Sequence, residues 1–301
     1  MHEPVLLAET IELLNIRPNG VYVDCTYGRG GHTQVVLKRL GSGGRLLAID
    51  RDPAAIESGR KFLSDTRLEL VHERFSKVEE LLEERQLREQ ADGILMDLGV
   101  SSPQLDDAER GFSFRGDGPL DMRMDPTNGP TVSDWLTVVG EKELRECLWE
   151  LGEERYARRI ARRIVEVRKK EPITTTLQLA TLIKQAVPGG RMKINPATRT
   201  FQALRLKINA ELEELSLGLR QATENIKIGG RVVVLAFHSL EDRIVKRYFR
   251  DLCRPAERYS SDLTTPQFYL HTRKPVRPNE AELSRNPRAR SARLRVLERV
   301  A

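Results

Sequence analysis

Four short apolar runs, VYVDC, RLLAID, LELVH and GILMDL, alternate between residues 21 and 98 with the amphipathic stretches TQVVLKRL, PAAIESGRKFL and SKVEELLEERQL. That alternation reads as βαβαβαβ, which requires a mostly parallel sheet covered by helices on both faces. The pattern then stops. Residues 99–130 are rich in Gly, Asp and Pro without any period, so they form a long irregular segment, of a kind that is functional or disordered inside a compact domain. A wholly helical stretch follows to about residue 187, marking an inserted helical domain. The α/β pattern resumes with a helix over 200–226, the strand RVVVLAF, a helix opened by HSLEDRIVKRYFRDL, and the strands QFYLHT and SARLRVLERV. The expected architecture is a Rossmann-like sheet of seven strands, five parallel plus a closing pair, interrupted after its fourth strand by helices. Residues 1–104 and 200–301 make the α/β domain, and 105–199 the irregular segment with the all-helical insertion.

A chain of 301 residues with 39% apolar content buries a proper core. Its net charge of +6 favours a polyanionic partner, nucleic acid first. Cys25, Cys147 and Cys253 are far apart and show no C-x-x-C spacing, so neither a disulfide framework nor a metal site is indicated, and a reducing cytosol fits. No apolar run approaches the roughly 18 residues of a membrane span, and the N-terminus MHEPVLLAETIELL lacks the basic region of a leader.

The first strand ends in DCTYGRGGHT. A glycine-rich turn opening a helix lets backbone N–H groups approach a ligand, because glycine has no Cβ to obstruct it. A dinucleotide fingerprint needs Gly or Ala where Thr33 stands, which counts against a nicotinamide-dependent oxidoreductase. Asp24 sits badly beside a pyrophosphate and well beside a cationic ligand such as a sulfonium, which points to S-adenosyl-L-methionine. Asp50 ends the second strand roughly 20 residues beyond the turn, where an acid accepts ribose hydroxyls or, alternatively, caps the helix starting near Pro53. Asp97 ends a buried strand beside the topological switch point, where an acid has little structural reason to be.

The segments DCTYGRGGHT, LLAIDRDPAAI, DGILMDLGVSSPQLDDAERGFSFRGDGPLDMRMDP, NPATRTFQALRLKIN, FHSLEDRIVKR and NPRARSARLRVLER closely resemble the bacterial small-subunit ribosomal RNA cytosine-N4 methyltransferases of the RsmH family, formerly MraW. The resemblance runs from the N-terminus to the last strand. It implies a class I methyltransferase fold with a helical insertion, use of S-adenosylmethionine, and methylation of the exocyclic amine of one cytidine in small-subunit ribosomal RNA. The family's cofactor contacts match Gly30, Gly31, His32, Asp50, Phe75, Asp97 and Gln104. From the residues alone, His32 reads first as an exposed member of a first helical turn, and Phe75 equally as a staple on its own helix.

The cytosine amine is a poor nucleophile because its lone pair is delocalised into the ring, so acceptors on its two hydrogens are needed. Other amino-methyltransferases place a polar-Pro-Pro-aromatic turn after strand four. Here that place holds Ser101, Ser102, Pro103 and Gln104, without the second proline or the aromatic. Phe112 and Phe114 are candidates for stacking on the base from a lid, or they pin the segment to the body. His238 stands at the same edge of the sheet as a substrate contact or proton acceptor, or as a neighbour of a Ser239/Asp242 capping box. No cysteine follows strand four or five to serve ring-carbon methylation; Cys25 reads as a small buried residue. In RYARRIARRIVEVRKK, Tyr156, Ile160, Ile164 and Val167 share one helical face, while Arg159, Arg163 and their neighbours lie off it as candidate phosphate contacts. Arg191, Lys193, Arg199 and RNPRARSARLR add positive charge. The expected partner is small-subunit ribosomal RNA, free or within the assembled subunit. A non-catalytic RNA-binding assembly factor is the remaining alternative.

Overall fold

The computed structural model describes residues 4–188, 194–254 and 267–301. They form two compact units, Met1–Gly99 with Leu212–Ala301, and Val100–Glu211. The first unit opens with α1 (Leu7–Leu13), β1 (Val21–Asp24), α2 (Gly31–Arg39), β2 (Arg45–Asp50), α3 (Pro53–Gly59), β3 (Leu68–His72), α4 (Val78–Glu84) and β4 (Ala91–Asp97). The second carries α5 (Ser102–Asp106), α6 (Val132–Val138), α7 (Glu141–Glu150), α8 (Ala157–Arg168), α9 (Thr176–Ala186) and α10 (Ala197–Ile208). The chain returns to the first with α11 (Glu211–Asn225), β5 (Ile226–Ala236), α12 (Ser239–Leu252), β6 (Phe268–Leu270), α13 (Glu280–Arg285) and β7 (Arg293–Arg299).

Among the described residues, seven strands join one sheet in the order β3-β2-β1-β4-β5-β7-β6. The first five are parallel; β7 runs antiparallel to β5, and β6 antiparallel to β7. Both faces are buried, as the apolar runs require. Val23, Ile49, Ile94, Met96, Val232 and Val234 belong to one core cluster with Leu81 and Leu82 of α4 and Leu215 and Leu219 of α11. Tyr22, Leu46, Ala48, Leu95, Val233 and Leu235 face the opposite cluster, with Ile11 of α1 and Val36 and Leu37 of α2.

The single helix expected over 200–226 is two helices. Asn209 caps α10, and Ala210 takes a left-handed conformation at φ 49° that ends the run. The buried Asn209 carboxamide accepts from Met124 N at 2.7 Å and donates to Met122 O at 2.8 Å and Arg205 O at 2.9 Å. Helix α10 therefore groups with the helical unit, as does the segment from Val100.

The segment without periodicity is ordered. Leu120 N donates to Thr174 O at 2.8 Å, Thr176 N to Gly118 O at 2.9 Å, and Met122 N to Arg110 O at 3.1 Å. The Arg110 guanidinium donates to the carbonyls of Arg123 and Met124, and Arg123 pairs in a fork with Asp121. Phe112, Leu120, Met122 and Met124 are buried in the core of the helical unit. Backbone pairing across distant residues, with no regular repeat, holds this stretch. Asn209→Ala removes three side-chain-to-backbone bonds and leaves the buried Met124 N–H and Met122 carbonyl without them, so it is expected to cost roughly 2–4 kcal/mol of unfolding free energy in chemical denaturation.

Candidate functional site

Parallel strands present their carboxyl ends at one rim of the sheet, and three of them end in aspartate. Asp24 of β1 aligns with Ala48 and Leu95, so Asp50 of β2 and Asp97 of β4 each project two residues beyond it. Asp24 is buried; it accepts the Thr33 hydroxyl at 2.6 Å and Thr26 N at 3.1 Å. Thr33 thus stands where a dinucleotide site has Gly or Ala because it donates to the strand-end carboxylate. The Thr26 hydroxyl in turn accepts Asp97 N at 2.7 Å, tying the turn to β4.

Asp50 accepts Gly28 N at 2.7 Å and Asp52 N at 2.8 Å. The cap of α3 is Asp52, which accepts Ala54 N at 2.9 Å, so the capping role considered for Asp50 belongs to its neighbour. Gly30 has φ 73°, and a Cβ there would lie 2.6 Å from the Tyr27 hydroxyl oxygen, so the turn tolerates no side chain. Gly31 opens α2. His32 is buried rather than exposed, with Nδ1 3.6 Å from Asp97 Oδ2. Burial pushes its pKa down to about 4, leaving the ring neutral near pH 7. Phe75 is half-buried in the short 3-10 turn before α4, packed against the core beside Met96 and α11.

The rim is electrostatically unusual. Burial, then the charges of Asp24 and Glu241, raise the Asp97 carboxyl to about 8. Asp97 Oδ1 is sealed from solvent and accepts no hydrogen bond from the described residues. Burial also raises Asp24, and raises Asp50 to about 6 against the opposing N–H groups of Asp52 and Gly28. No cation is among the groups that shift these three carboxyls. Such a rim favours a positively charged ligand and opposes a pyrophosphate.

Glu241, buried at the start of α12, was not a sequence candidate. Its Oε2 accepts Phe237 N at 2.8 Å and His238 N at 3.2 Å, and its own N–H donates to His238 Nδ1 at 3.4 Å. The capping box of α12 is therefore His238 with Glu241, not Ser239 with Asp242. The H-x-x-E spacing held that signal. Asp242 instead accepts from Arg295 at 2.7 Å and Arg293 at 2.9 Å, which commits those two arginines of the C-terminal basic run to an internal pair.

In the helical unit, Ser101, Ser102, Pro103 and Gln104 build a local device. The Ser101 hydroxyl accepts Gln104 N at 3.5 Å, and the Gln104 carboxamide oxygen accepts Ser101 N at 2.9 Å, a capping box that starts α5 with Pro103 in its first turn. Phe112 is 6% exposed inside the core. Phe114 packs edge-on against Phe201 at 4.9 Å. Both rings pin the segment within its own unit. On α8, Arg158, Arg159 and Arg162 are exposed while Ile160 and Ile164 are buried. Arg162 pairs with Glu166 at 2.8 Å, and half-buried Arg163 donates to Gln185 at 3.3 Å. Arg199 donates to Glu153 O at 2.9 Å. Arg191 and Lys193 lie outside the described residues. Cys25 is buried, and burial with the Asp24 charge lifts its thiol well above the ordinary range, which disfavours a thiolate nucleophile.

A family model described as the MraW methylase family matches residues 1–300. A ribosomal RNA small subunit methyltransferase H of Nitrosospira multiformis is 50% identical over 309 residues, covering 99% of this chain and 97% of the relative. Its namesake in Azoarcus sp. strain BH72 is 52% identical over 304 residues, covering 99% and 96%. Among solved structures, an rRNA methylase from Streptococcus thermophilus superposes with TM-score 0.45 at 10% identity, covering 100% of this chain and 99% of that one.

The Asp97 pKa has a directional consequence. A cation favours the ionised carboxylate, so S-adenosylmethionine binding expels a proton below about pH 8, and affinity is expected to rise as pH climbs toward that value. Because the folded pKa is raised, the ligand-free fold is favoured below the unfolded value and loses that contribution as pH rises through about 8. Isothermal titration across this range is the check: Asp97→Asn should flatten the upper part of the affinity profile.

Proposed function

The chain belongs to the MraW methylase family and is a methyltransferase, and on that premise we propose that it methylates the exocyclic N4 of a cytidine in small-subunit ribosomal RNA, using S-adenosylmethionine. The observation that carries the cofactor assignment is the rim of Asp24, Asp50 and Asp97 around the glycine turn, with no cation among the groups acting on it. The site accommodates that group. Asp50 keeps lone pairs beyond the two N–H bonds it accepts, enough for ribose hydroxyls. Phe75 offers a ring for the adenine, and the acids suit the sulfonium and ammonium charges. Gly30, Gly31 and His32 shape the backbone approach.

S-adenosylmethionine, when bound, supplies a methyl group activated by a positively charged sulfur. The chain's task is to orient the cytosine amine and take its proton. Asp97 suits that task best: its carboxyl holds a proton in the ligand-free chain, and the positive charge of the bound cofactor would drive that proton off and leave a carboxylate able to take up the amine's proton. His238 is less suited, because Nδ1 accepts within the α12 cap and Nε2 stands 3.1 Å from Glu241 Oε1. Ser101, Ser102 and Pro103 begin four residues beyond Asp97 in the chain and are the candidates for acceptors on the amino hydrogens. The buried thiol of Cys25 speaks for nitrogen over ring-carbon chemistry. Arg159 and Arg163 belong to the arginine-rich helix proposed to meet RNA phosphates, in a cytoplasmic enzyme acting on ribosomal RNA.

Labelled S-adenosylmethionine and small ribosomal subunits lacking their native cytosine methylation provide the test, with the product nucleoside identified by mass spectrometry. N4-methylcytidine is expected; a C5-methylated product or no transfer overturns the acceptor assignment. Asp97→Ala is expected to lower the transfer rate by roughly 10²–10⁴-fold with an unchanged circular-dichroism spectrum. Replacing Arg159 and Arg163 together with alanine should weaken RNA binding across sequences and flatten its salt dependence in filter-binding titrations.

A further inference from the structure

Helix α11 lays Leu215, Leu219 and Ala222 against the sheet, at the spacing of a core-facing stripe. Gly218 sits on that stripe and is buried. A glycine there is unfavourable to the helix, since alanine would lower the local free energy by about 1 kcal/mol. The reason lies across the interface. A Cβ at Gly218 would stand 2.5 Å from Cδ2 and 2.7 Å from Cε2 of Phe75, and 3.6 Å from Cε of Met96. The first two separations are far inside van der Waals contact, so one edge of the Phe75 ring occupies the volume that any other residue would fill.

We propose that Gly218 is a positioning residue for the cofactor: by omitting a side chain, it lets the Phe75 ring lie flush on α11 at the depth at which its free face receives the adenine. This rests on the reading of Phe75 as the adenine-facing aromatic. A methyl group at position 218 pushes the ring off the helix backbone. Because interiors are close-packed and Met96 fills the space on the strand side, the ring moves as a unit rather than deforming. Cofactor affinity then falls while the reacting groups at Asp97 stay where they are.

The experiment is a double-mutant cycle on the full chain, read by isothermal titration with S-adenosylmethionine, by thermal midpoint without ligand, and by steady-state kinetics. Gly218→Ala is expected to weaken S-adenosylmethionine binding on the order of tenfold, raising KM for it with little change in kcat. Phe75→Leu is expected to weaken binding as well. Adding Gly218→Ala to Phe75→Leu should then cost nothing further, because the smaller side chain vacates the contested volume. A Gly218→Ala protein with unaltered affinity, or a Gly218→Ala penalty that persists in the Phe75→Leu background, overturns the proposal while leaving Phe75 in the cofactor site. Full affinity in Phe75→Leu overturns both together. Should Gly218→Ala fail to fold, the double variant compared with Phe75→Leu alone decides the matter by the same criterion.

Discussion

Asp24 is a carboxylate at the end of a buried strand, and it is held there by a threonine hydroxyl and a backbone N–H rather than by a cation. Around it, Thr33 fixes the first turn of α2, and Thr26 links the turn to Asp97 on the neighbouring strand. Removing a carboxylate from water without a counter-charge is costly, and three of them share this rim. The chain partly offsets that cost with hydrogen bonds and leaves the remainder as a preference for a cationic ligand. The geometry of the glycine turn, the direction of α2 and the elevated pKa of Asp97 all follow from that arrangement.

The helical unit obeys a different rule. Its irregular segment has no period because its backbone groups pair with distant partners, Leu120 with Thr174 and Met122 with Arg110, while the apolar residues enter the core one by one. Asn209 joins the same segment to the end of α10 through two hydrogen bonds, to Met122 and Met124, and anchors itself to α10 by a third, to Arg205 O. A motif that reads in sequence as a candidate lid is thus a framework, and Phe112 and Phe114 are members of it.

Much of the site was legible because the parallel sheet is repetitive. Apolar runs located every strand, and the polar residue closing each run, Asp24, Asp50 or Asp97, had to fall on the carboxyl rim. Capping chemistry was harder to read. Asp50 and Asp52 are two residues apart, and nothing local says which accepts from Ala54; Glu241 and Asp242 are adjacent, yet one closes a cap and the other binds two arginines. These outcomes depend on which donors arrive from elsewhere in the fold. The S-x-x-Q and H-x-x-E spacings each contain the capping box that forms there.

By itself the sequence determined the order of strands and helices, the burial of both sheet faces, the acidic rim and the family, since each depends on local periodicity or on a long run of matching residues. Tertiary structure alone decided where the helix after residue 200 breaks, that His32 is buried and neutral, that Asp97 holds its proton near neutral pH, and why position 218 is glycine. Those properties arise from desolvation and close contact between residues far apart in the chain, and neither quantity exists until the chain has folded.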